Sequence, residues 1–172
     1  MQALELGGGA NGRKGWRIVF VRLTEIPVDE LVCHMRDPRI AAHLPLLSSE
    51  WNRQTALDFV SAKEERWRRD GLGHWAILSD GRYAGWGGFQ LEGDEWDFGL
   101  VLKPEFFGAG VVITRKAIAF ARNDARIDAV TFLLPPSRRN LGALNRLGAV
   151  HVGDVTYEGA RFHKYRLETA RA

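Results

Sequence analysis

Apolar residues recur along this chain with two different periods, and the changes of period divide it into elements. Arg17–Leu23 (RIVFVRL) places β-branched and aromatic residues between charged ends, which predicts a first strand. Pro27 opens a helix, because a fixed φ suits a first helical position. Val28, Leu31, Val32 and Met35 then follow the i, i+3, i+4, i+7 stripe until Asp37-Pro38 ends it. A second helix is expected over Ser49–Asp70, with Ala56, Phe59, Val60 and Trp67 on one side and Gly71 at the stop position.

The middle of the chain switches to the period of a sheet. His74–Leu78 and Tyr83–Leu91 flank Asp80-Gly81, a strong hairpin signal, and Glu92-Gly93-Asp94 turns the chain into Trp96–Leu102. Beyond them the pattern predicts a helix over Val111–Asn123, a strand over Ala129–Leu134 and a short helix over Asn140–Leu147, stopped by Gly148. Two last strands follow, Val150–Thr156 and Phe162–Glu168. The strand–helix–strand over 96–134 should form a right-handed parallel crossover. The expected class is therefore α+β, with a mixed, mostly antiparallel sheet of about six to seven strands flanked by about four helices.

Between the strand ending at Leu102 and the helix opening at Val111 lies Lys103-Pro104-Glu105-Phe106-Phe107-Gly108-Ala109-Gly110. Gly108 and Gly110 lack Cβ atoms, so the chain can turn tightly and a ligand can approach the backbone. The N–H groups at the start of the following helix, together with its dipole, suit an anion such as a phosphate. The same two glycines also serve plain strand-to-helix turns. The segment is neither a Walker A loop nor a dinucleotide fingerprint, since Gly-Lys-Ser/Thr and a third glycine are both missing.

Composition narrows the partners. A chain of 172 residues, 45% hydrophobic and 26% charged, is long enough for one domain with its own core, expected over 16–172 after a Gly-rich leader at 1–15. No apolar run approaches the ~20 residues that span a bilayer, and the leader has no signal-peptide core, so a cytoplasmic protein is expected. The net charge of +3 would allow nucleic acid. However, the basic residues alternate with acids, as in Lys63-Glu64-Glu65-Arg66, which reads as solvated helix faces. The single Cys33 excludes a disulfide framework, and the five histidines show no close paired spacing on one helix face, so no metal site is expected.

The order of elements, with Asp97-Phe98-Gly99-Leu100-Val101-Leu102-Lys103-Pro104, Phe107-Gly108-Ala109-Gly110 and Asn140 to Gly148, resembles the GNAT superfamily of acetyl-CoA-dependent N-acetyltransferases. It is most similar to the branch that acetylates ribosomal-protein N-termini and related amines. The resemblance spans Arg17 to Leu167, in pattern through the first half and in motif over 97–148. It implies a bulged strand at Leu100, Val101 and Leu102 whose backbone pairs with the pantetheine arm. It implies a pyrophosphate loop formed by Phe107, Gly108, Ala109, Gly110, Val111 and Val112. In its Arg/Gln-x-x-Gly-x-Gly/Ala pattern the three named slots hold Phe107, Gly110 and Val112. Only Gly110 matches strictly, and the β-branched Val112 narrows the approach to the phosphates. Asn140 matches a cofactor-binding asparagine and equally suits a helix N-cap.

Transfer to a primary amine of a small molecule or a peptide N-terminus needs a base for the amine proton. Asp97 stands where this branch often has a glutamate base, and its other reading is a solvated strand residue; Glu95 is the nearest substitute. The family's acid, a Tyr or Ser on the short helix, falls at Leu144 and Ala143, neither of which donates a proton. Ser137 or Tyr157 could supply one. His43 and His74 could border the acceptor, although ordinary surface or partly buried histidines are the commoner case; Trp51, Trp75, Trp86 and Trp96 fall in strands and loops that would wall it, with core packing accounting for most of them. The resemblance implies direct transfer from acetyl-CoA and includes homodimers. A catalytically silent protein of the same fold, binding CoA or a partner, is the alternative that Val112, Ala143 and Leu144 motivate.

Overall fold

The computed structural model of the chain describes residues 15–42, 44, 50–138 and 141–169. Seven strands, β1 (Ile18–Val21), β2 (His74–Ser79), β3 (Arg82–Glu92), β4 (Glu95–Leu102), β5 (Ala129–Leu134), β6 (Val150–Tyr157) and β7 (Ala160–Glu168), form one sheet in the order β1-β2-β3-β4-β5-β7-β6. Every neighbouring pair is antiparallel except β4 and β5. This is the α+β class that the periodicity predicts. Asp80 and Gly81 both take positive φ, as a tight two-residue hairpin loop requires.

The helices are α1 (Val28–Met35), α2 (Pro38–Ala41), α3 (Arg53–Asp70), α4 (Gly110–Ala121) and α5 (Gly142–Leu147). The one-turn α2 is unexpected. Asp37-Pro38 ends α1 and also starts the next turn, because the Asp37 carboxylate accepts the Arg39 N–H while Pro38 fills the first position. α3 begins later than expected, at Arg53, where the Asn52 side chain caps the Thr55 amide at 2.9 Å. Gly71 ends it at φ 72°.

Strand residues alternate between two cores. Trp75, Phe89, Trp96, Phe98, Leu102, Ile113, Ile118, Val130 and Phe132 pack on the α4 face. Leu23, Leu31, Met35, Ile40, Ala56, Ala76, Tyr83 and Val101 pack on the face covered by α1, α2 and α3. Full burial of a side chain such as Phe89 contributes about 1.5–3 kcal/mol. Among the described residues no helix is long and apolar enough to cross a membrane.

Candidate active site

β4 pairs with β3 without interruption, from Glu92↔Glu95 to Gly85↔Leu102. With β5 it forms only two pairs, Trp96↔Val130 and Asp97↔Thr131. Beyond Asp97 the two parallel strands part, so the β5-facing edge of Leu100, Val101 and Leu102 lies in the parted half. The fork is marked by Thr131, whose hydroxyl donates to the Asp97 carboxylate at 3.2 Å. The bulge implied by the resemblance is not present against β3, where the register is continuous. Glycine makes that close pairing feasible. A Cβ on Gly87 would overlap the Gly99 carbonyl oxygen and lie 2.9 Å from the Leu100 Cα. The opening therefore arises from the departure of β5.

The glycine segment differs from the expected turn. Pro104–Ala109 is a 3-10 helix that runs straight into α4. Gly110 has ordinary helical angles, φ −55° and ψ −40°, and Gly108 is not among the glycines with positive φ. The Gly110 N–H is already used, donating to the Phe107 carbonyl. Proline at the start and the i→i+3 bonds replace the tight turn. What the glycines supply is open surface: a Cβ on Gly108 would meet nothing within 4 Å, and one on Gly110 only Leu102 Cδ1 at 3.7 Å.

Ala109 points into the core, whereas Phe107, Val111 and Val112 are 47%, 39% and 40% exposed, an apolar surface gathered around Gly108. Val111 and Val112 lie in the first turn of α4, directly after the 3-10 helix. That turn carries no acidic side chain to compete for the positive end of the dipole. Asn140 and His43 lie outside the described residues.

Asp97 faces the α1–α3 side. Burial pushes its carboxyl up to about 6, the Thr131 hydrogen bond opposes the shift and the Glu92 charge adds to it. At neutral pH such a group is mostly ionised and still a competent proton acceptor. Glu95 is engaged differently, held by Lys164 and Arg166 of β7. Gln90 stands directly across from Asp97 and accepts from the Lys63 ammonium at 2.8 Å. Lys63 lies 5.3 Å from the ring centres of both Phe59 and Trp86. Burial, then the Arg66 charge, lowers its amine to about 8.

His74 is buried 5.5 Å from the Trp86 ring centre, and among the described residues its Nδ1 has no hydrogen-bond partner. Burial, followed by the Lys63 and Arg66 charges, pushes its pKa well below the ordinary range, so it is neutral. The tryptophans do not form one wall. Trp51 and Trp86 pack with Phe59 on the Asp97 face. Trp75 and Trp96 belong to the opposite core, Trp75 stacking on Phe20 at 4.8 Å and Trp96 donating to the Arg126 carbonyl. Strand alternation separates residues that lie close in sequence.

On α5, Leu144 packs against the core, and Ala143 beside it carries no polar group. Ser137 is exposed in the turn after β5. The Tyr157 phenol is held protonated by burial, then by the Glu92, Glu158 and Asp97 carboxylates. Lys63, Gln90 and Thr131 were not nominated from the sequence. Gln90 was within reach of it, because counting back across the Glu92–Glu95 hairpin puts it opposite Asp97. Thr131 and Lys63 arrive from distant segments and leave no local signal.

No protein-family model matches the chain, and no curated protein matches its sequence. Solved structures do. A Bordetella pertussis protein assigned to the GnaT acetyltransferase family superposes with a TM-score of 0.70 at 17% identity, covering 96% of this chain and 99% of its own. RimL, a ribosomal L7/L12 α-N-protein acetyltransferase solved with coenzyme A, gives 0.73 at 14% over 88% and 93%. The microcin C7 self-immunity acetyltransferase MccE, solved with acetyl-CoA and AMP, gives 0.73 at 14% over 88% and 92%. The chain therefore has the GNAT fold.

Proposed function

We propose that this protein is an N-acyltransferase that moves an acetyl group from acetyl-CoA directly to a primary amine, of a peptide N-terminus or a small molecule. The observation that carries the reading is the fork in the sheet with Asp97 at its apex. An unpaired strand edge, Leu100 to Leu102, leads away from a carboxylate tuned near neutrality. The residues fit the donor. The β4 edge offers backbone groups to an extended arm, and the open surface over Gly108, at the start of α4 where no acidic side chain stands, offers a seat for a pyrophosphate. The RimL and MccE structures, which hold coenzyme A and acetyl-CoA, support the same ligand here.

In this mechanism acetyl-CoA supplies the thioester carbonyl. Asp97 takes the amine proton, directly or through a water, as the new C–N bond forms and the C–S bond breaks. A thiol with a pKa of about 8.5 leaves adequately near neutral pH, so the missing Tyr or Ser on α5 slows the step without forbidding it. Burial of Asp97 strengthens its electrostatic interaction with the amine.

Ala143 and Leu144 favour a second reading, a silent protein of this fold that holds CoA. Thermal melts with acetyl-CoA, followed by thiol release over a panel of peptide, polyamine and aminoglycoside amines, separate the two. At 100 times its dissociation constant acetyl-CoA should stabilise the fold by about 2.7 kcal/mol. No stabilisation would remove both readings, and stabilisation without turnover of any amine would leave only the second.

A further inference from the structure

At the far edge of the sheet the β6–β7 hairpin gathers His151, Asp154 and His163, whose ligand-type atoms all lie within 4.8 Å of one another. In a regular strand His151 and Asp154, three residues apart, would point to opposite faces. The register breaks between them: His151 pairs with Tyr165 but Gly153 pairs with Lys164, so one extra residue is inserted. The bulge brings both side chains to one face, and Asp154 sits directly opposite His163. His163 Nδ1 is then 2.6 Å, and His151 Nε2 3.2 Å, from the same oxygen, Asp154 Oδ1. Arg161 occupies the other oxygen, Oδ2, which fixes the carboxylate and leaves Oδ1 aimed at the two rings. The Tyr165 ring lies 5.2 Å from His151 and limits its rotation.

We infer that His151 Nε2, His163 Nδ1 and Asp154 Oδ1 form a binding site for one divalent late-transition-metal ion of the Zn2+ class. Two imidazoles and one carboxylate favour Zn2+, Ni2+ or Cu2+ over Mg2+ or Ca2+. Ligand atoms bound at about 2.0–2.2 Å lie roughly 3–3.6 Å apart, so modest ring rotations convert the observed contacts into a coordination shell with open positions for water. Each ring nitrogen that faces Asp154 Oδ1 then gives its lone pair to the metal, and the ring keeps its one proton on the other nitrogen, as the neutral imidazole ligand does. The site lies apart from the β4–β5 fork and does not depend on acetyl transfer.

The test is titration of chelator-treated full-length protein with Zn2+ by calorimetry, with melting curves in parallel and Co2+ absorption as a report on coordination. One Zn2+ per chain, a raised Tm and a visible Co2+ band are expected, with no response to Mg2+. His151→Ala and His163→Ala should each weaken Zn2+ binding by about tenfold or more. Both ring positions are partly exposed, and the metal-free Tm of each variant verifies its fold. Absence of Zn2+ and Ni2+ binding in the wild type, or undiminished binding in the His151/His163 double variant, would overturn the assignment.

Discussion

The two edges of β4 meet very different neighbours. Its β3 edge is closed over the full strand, with glycines at 85 and 87 where any Cβ would strike the β4 backbone. Its β5 edge is closed for two residues and then open, and the glycine that follows, Gly108, has empty space where a Cβ would be. Glycine therefore plays opposite parts on the two sides. On one it lets backbone meet backbone, and on the other it leaves backbone accessible. The contrast teaches that a glycine's meaning depends on what its missing Cβ would touch.

The harshest way to break the comparison is Gly87→Ala. Its Cβ cannot be housed without moving β3 away from β4, so the loss should be several kcal/mol, read as a collapse of Tm or of soluble yield. Asp97→Asn, at the fork itself, should lower kcat by about 10²–10⁴. Its effect on stability has the opposite sign. The folded chain holds the Asp97 proton up to about pH 6, against 3.8 for the ordinary carboxyl, so the stability this gives is full below about pH 4 and lost as the pH rises through about 6. Asn has no such loss, so the variant should gain Tm relative to wild type at pH 8 and not at pH 4. Wild-type kcat should fall on the acid side with an apparent pKa near 6.

Gly108→Ala sharpens the contrast with Gly87→Ala. Its Tm should stay within about a degree or rise slightly, since alanine favours helix, while acetyl-CoA affinity drops by about tenfold in calorimetry. The smallest effect is expected from Val112→Ala, which trims an exposed branched side chain beside the same surface. A twofold to threefold tighter CoA complex at unchanged Tm is the expected outcome, equivalent to about 0.4–0.7 kcal/mol. Looser binding would show that Val112 contributes contact instead of obstruction.

Much of the fold was legible because the signals were local. Hydrophobic periods marked all seven strands, Asp80-Gly81 and Glu92-Gly93-Asp94 set the hairpins, and Gly71 and Gly148 marked helix ends. Less of the site was. The two-glycine pattern suggested a tight turn, yet proline and successive i→i+3 bonds made Pro104–Ala109 a 3-10 helix with no left-handed residue. Core packing accounts for most of the tryptophans, as expected, but proximity in sequence hides which face each takes.

By itself, then, the sequence determined the order of the strands, the positions of the hairpin turns and the nomination of Asp97 and of the segment 107–112, all of which depend on neighbours within a few residues. The tertiary structure decided where β5 leaves β4, that Thr131 and burial would set the proton affinity of Asp97, and that a one-residue bulge would turn His151 toward His163. The first two rest on contacts between segments far apart in the chain, and the third on the pairing of β6 with β7. Their geometry is set by how the sheet and helices pack, and no local pattern of residues encodes it.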